Sequence, residues 1–271
     1  MDMQMRNIGT AQKKNHRPLE NKKVTEDEMA ETSMQVNMSL DERRKKIDAY
    51  IEKAKYFASI SHFDEAEKFY LKAVRVSENI YRKTYLENDR NKVIQCYVQI
   101  SDFCETYSKR IDLATLWYQK IVVTLEDSFE GYASANEYHL LMEWYLKTID
   151  LLKSQGNEKK VILFSIRMRK RAVILYKKTK TNEDLKYVIL SRLFLAEGFE
   201  HMKHSGKAYF HYRYIALTME KLYEETKEEG IKYDLLEMYQ RLCKMTQKSI
   251  FKVLHRKWKM KSLLLKEEQQ S

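Results

Sequence analysis

The sequence predicts an all-α fold, a solenoid of about four helix-turn-helix pairs closed by a carboxy-terminal capping helix. Three observations carry this expectation. The 271 residues include only six Gly and one Pro, while 44% are apolar and 33% charged. Such a mixture suits long helices and not turn-rich strands. Apolar residues recur at helical spacing along most of the chain, and that spacing itself repeats at a near-constant interval.

Taken in order, residues 1–38 are polar, hold the one proline (Pro18) and carry no sustained apolar stripe. They read as a disordered arm. Folding is expected to begin at Ser39-Leu-Asp-Glu42, where the Ser hydroxyl can accept from an orphan amide and the Glu can reach back. A first pair follows, with Ile47, Tyr50, Ala54 and Phe57 on one helix and Phe63, Ala66, Tyr70, Ala73 and Val74 on the next. A second carries Tyr97, Ile100, Cys104 and Tyr107, then Ala114, Trp117, Tyr118, Ile121 and Leu125. The third runs through Tyr145, Ile149 and Leu152, breaks at Gly156-Asn157, and resumes with Val161, Met168, Ala172 and Tyr176. The fourth has Leu195, Ala196 and Phe199, then Ala208, Tyr212, Ile215 and Met219. The residue early in each second helix (Ala66, Ala114, Val161, Ala208) recurs after 48, 47 and 47 positions. One hairpin cannot cover its own apolar face, so stacked hairpins share a core and the ends need caps. The repeat domain is therefore assigned to residues 39–230 and a basic amphipathic cap to 231–271, about nine helices in all.

These residues resemble the tetratricopeptide family, whose repeat sets a small residue at the helix crossing with aromatic residues around it. Tyr50, Ala54, Phe57, Phe63, Ala66, Tyr70 and Ala73 fall in the family's order, and Leu195, Ala196, Phe199, Ala208, Tyr212 and Ile215 match next best. Unit three keeps Gly156 but has Val161 and Ser165 in small and aromatic places; unit two needs one extra residue in its turn. The family repeat is about 34 residues, shorter than the interval here, and no Pro closes a repeat. Longer-repeat helical hairpins, such as the SNAP adaptors of membrane fusion and peptide-sensing bacterial regulators, look similar in pattern.

The resemblance implies a peptide or partner helix held by the first helix of each pair. By position that face comprises Asp48, Ile51 and Lys55; Gln95, Val98 and Asp102; Glu143, Leu146 and Asp150; and Leu190, Leu193, Glu197 and His201. The Lys and Asn set with which chaperone-binding members grip a terminal carboxylate is absent, which speaks against that ligand.

The charge of +11 favours acidic partners without choosing among protein, nucleic acid and anionic lipid. One basic run, Arg167, Arg169, Lys170, Arg171, Lys177, Lys178 and Lys180, reads either as a solvated helix face or as an anion-binding patch. Nucleic-acid or anionic-surface binding through this basic helix and the terminal one is the alternative function. The segment from Lys248 to Leu265 is basic and amphipathic, with Ile250, Phe251, Leu254, Trp258 and Leu265 able to share a face. A docked cap is favoured over a membrane-surface helix. His201 and His204, near Glu197, Glu200 and His211, lack the spacing of a metal site.

No cofactor or metal is expected, and no phosphate loop, nucleophile elbow or Cys–His arrangement nominates an enzyme. Cys96, Cys104 and Cys243 are odd in number and show no CxxC spacing, which suits reduced thiols in a cytoplasmic protein. No signal peptide or membrane span is evident. The expectation is a non-enzymatic interaction scaffold.

Overall fold

The computed structural model describes residues 38–129, 133–247 and 252–267. Among them are ten α-helices and no strand. First helices are α1 (Leu40–Ser59), α3 (Glu87–Thr106), α5 (Ala135–Ser154), α7 (Asn182–His201) and α9 (Glu229–Met245). Second helices are α2 (Phe63–Thr84), α4 (Ile111–Asp127), α6 (Glu158–Thr179), α8 (Ser205–Thr226) and α10 (Lys252–Glu267). Each helix packs on its neighbours in sequence, and α1 also touches α3. The architecture is an all-α helical-repeat solenoid. The expected arm, residues 1–38, lies outside the described residues except for Met38.

The first helices begin in steps of 47, 48, 47 and 47 residues and the second helices in steps of 48, 47, 47 and 47. The repeat therefore runs on past the four expected pairs. The region 231–266, expected as a single capping helix, instead contains parts of two helices among the described residues, α9 and α10, which make a fifth hairpin and bring the count among the described residues to ten instead of nine. α10 does pack on the helices before it: Trp258 is 1% exposed, lies on Tyr239 with ring centroids 5.9 Å apart and donates from Nε1 to the Tyr209 hydroxyl at 3.3 Å. Of the apolar residues proposed for that face, Ile250 and Phe251 lie outside the described residues.

The crossing residues are buried as their spacing implies. Ala66, Ala114 and Ala208 are 0% exposed and Val161 1%. The turns repeat as well. Ser61, Lys109, Gly156 and Lys203 each take a left-handed φ between the two helices of a pair. In three of them the next amide donates five residues back, as His62 does to Phe57 at 2.9 Å, closing the helix end. The second turn is one residue longer, and Arg110 reaches back to Cys104 at 2.9 Å.

Side chains cap the starts of α1, α5, α6 and α7. Ser39 and Glu42 form the expected reciprocal box, and Ser134 with Glu137 forms another at α5. From α3 to α7, the acid in the third position of a first helix also ties its unit to the one before. Arg44 donates to Asp89 at 2.9 Å, Arg90 reaches Glu137 at 3.5 Å, and His139 pairs with Asp184 at 2.7 Å. Arg44 accordingly holds the Asp89 carboxyl below the usual carboxylate range.

Candidate interaction surface

The regular helix starts bring the thirteen first-helix residues into register. Asp48, Gln95, Glu143 and Leu190 are each the ninth residue of their helix. Ile51, Val98, Leu146 and Leu193 are each the twelfth, and Lys55, Asp102, Asp150 and Glu197 the sixteenth. His201 ends α7. The middle row is apolar and packed on the core, with Ile51 buried and Val98, Leu146 and Leu193 half-buried. Largely polar rows flank it on both sides.

The charges on this face differ along its length. At the amino end Lys92 of α3 pairs with Asp48. At the carboxyl end Glu197 accepts from Lys153 at 2.9 Å and from Arg241 at 3.5 Å. Between them Asp102, Glu143 and Asp150 are exposed. Desolvation by the packing around it pushes the Asp102 carboxyl up, partly offset by Lys147.

Along the second helices a cleft of about 540 Å³ opens over α4, with Leu116, Val123, Leu163 and Phe164 among its lining. It contains a device that the sequence reading missed. Tyr97 of α3 donates to Glu78 of α2 at 2.5 Å, and Lys120 of α4 reaches the same carboxylate at 3.3 Å. One unit on, Tyr145 donates to Glu126, which also accepts from Arg167. In the last unit Tyr239 donates to Glu220 at 2.6 Å, joined by Lys261. In each case the glutamate is the sixteenth residue of a second helix, the tyrosine the eleventh of the next first helix, and the cation the tenth of the next second helix. A tyrosine recurring 19 residues after a glutamate was the available signal.

The basic run on α6 does not form one surface. At roughly 100° per residue, Arg167, Arg171 and Lys178 share one side of the helix, Arg169 lies on a second, and Lys170 and Lys177 on a third, while Lys180 follows the helix end with a left-handed φ. Arg167 and Arg171 both reach Glu126, and Lys178 donates to the Ala133 carbonyl at 2.6 Å. The histidines also separate. His201 pairs with Glu158 at 2.8 Å, whereas the His204 ring lies 6.3 Å from Phe199. Among the described residues no group of three His, Cys, Asp or Glu could hold a metal ion, and no helix is long and apolar enough to cross a membrane. Cys96, Cys104 and Cys243 are free thiols, and burial pushes the first two up to about 11.

No family model matches the chain, and no curated protein matches it. Among solved structures it is similar to BtubC (BKLC) from P. vanneervenii, at 11% identity and a TM-score of 0.39, covering 87% of this chain and 94% of that one. It is also similar to the S. pombe nuclear import adaptor Nro1, at 10% identity and a TM-score of 0.35 over 84% and 94% of the two chains. A third likeness is to the DHF79 filament, at 12% identity and a TM-score of 0.26 over 74% and 99%.

Proposed function

We propose that the chain is a non-enzymatic, tetratricopeptide-like interaction scaffold that holds a peptide or partner helix on its first-helix face. The supporting observation is the centre of that face, where the apolar residues Val98 and Leu146 lie in register between the exposed acids Asp102, Glu143 and Asp150. In a protein of charge +11, this acidic strip suits a segment with an apolar anchor and basic flanks. Periodic apolar positions would take side chains at helical spacing, and the acids would steer and orient the segment. The free thiols support a reducing, cytoplasmic setting. Dispersal of the α6 charges over three sides of the helix gives a nucleic-acid backbone no common surface to follow.

Selection from a displayed peptide library tests this reading. Enriched sequences are expected to place Lys or Arg beside an apolar residue, and the Asp102→Lys, Glu143→Lys, Asp150→Lys variant should lose them while keeping its helical circular dichroism. Enrichment of acidic sequences, or equal binding by the variant, would overturn it.

A further inference from the structure

Of the four junctions between units, the one joining α6, α7 and α8 departs from the glutamate–tyrosine–cation arrangement at every position. Val173 stands where the glutamate belongs, Arg192 where the tyrosine belongs, and Tyr214 where the cation belongs. Two neighbours change with them. Arg169 occupies the place held by Val74, Val122 and Ala216 in α2, α4 and α8, and His211 that held by Phe69, Trp117, Phe164 and Trp258 in the other second helices. One acid and one cation have been removed and three basic side chains introduced at a single junction.

Four of their polar atoms are left without a partner. Arg192 is 9% exposed and His211 8%, and Arg192 Nε and Nη1, Arg169 Nε and His211 Nδ1 are shielded from solvent with no hydrogen-bond partner. A buried donor without an acceptor is costly, more so when it is charged. The Arg192 guanidinium lies 3.4 Å from the centre of the Tyr214 ring, which provides stacking but no anion.

We propose that this junction is an oxyanion-binding site, completed from outside the chain by a carboxylate or phosphate group standing in for the glutamate that Val173 replaces. Arg192 and Arg169 supply the charge, His211 supplies a further ring nitrogen, and Tyr214, 37% exposed, is the outer member that moves aside on entry. This site is separate from the first-helix face and does not rest on that reading.

Thermal melts at fixed ionic strength, with sodium phosphate replacing sodium chloride, test it. The wild-type Tm should rise and saturate. Val173→Glu, which returns the acid to the chain, should melt higher in chloride and lose the saturable rise. Arg192→Met should also lose it, and decides the matter if Val173→Glu fails to fold. The peptide acetyl-Glu-Glu-Glu-amide provides a second arm. A response to it below the phosphate concentration assigns the anion to a partner's side chains, and a response to phosphate alone assigns it to a free ion. No saturable rise with either probe, or an equal rise in all three proteins, overturns the site.

Discussion

Three of the four junctions between hairpins are built alike, and the fourth keeps their backbone while exchanging their chemistry. At the α2–α3, α4–α5 and α8–α9 junctions a tyrosine donates to a glutamate that also meets a cation. At α6–α7 the same positions hold Val173, Arg192 and Tyr214, yet the helix starts stay in step. The apolar core divides in this region too. Val188 and Phe194 of α7 belong to a cluster extending back to α1, whereas Ile189 and Ala196 belong to one extending on to α10. Helix register thus rests on the apolar crossings, and the polar set at a junction can change without disturbing it.

The strongest way to break this comparison is to remove the acid from a complete junction. Glu126→Ala leaves Tyr145, Arg167 and Arg171 without their shared acceptor. Breaking one side of a buried ion pair costs about 3–5 kcal/mol. Val173→Ala at the fourth junction should cost only about 1 kcal/mol, since a partly buried side chain is merely shortened. Urea midpoints compare the two, and equal losses would mean that the acid contributes nothing special. The crossings should behave differently. Ala66→Leu and Ala208→Leu, one from each core, should each cost about 1–3 kcal/mol through overpacking, and an unchanged midpoint for either would detach register from the crossing alanines.

Much of this architecture was legible because it is written locally. The alanine interval, the Ser39–Glu42 box and the longer second turn each depend on a few neighbouring residues. The fifth hairpin was missed because His255 stands at the crossing position and Lys259 four residues later, so the small-residue ruler ended at Ala208. The junction sets were missed for a different reason. Each draws one residue from three helices, and the offsets acquire meaning only once helix starts are known. The first-helix rows came into register as positioned, whereas the basic run on α6 dispersed because consecutive residues on a helix face different neighbours.

The pH-dependent effect concerns His211. Burial, with Arg192 and Arg169 nearby, lowers its pKa from 6.5 to about 4. Between those values the unfolded chain binds the proton and the folded chain does not, so stability rises with pH across this window and is lost as pH falls through it. The slope is at most about 1.4 kcal/mol per pH unit. His211→Phe restores the aromatic residue found at this position in the other second helices and removes the titration. Chemical denaturation of both proteins from pH 7 to pH 4 should therefore show the wild type losing stability faster than the variant, since carboxylates elsewhere titrate equally in the two. Parallel curves would place the His211 ring in contact with solvent or an acid, and the fourth junction would then differ from the others in composition without differing in electrostatics.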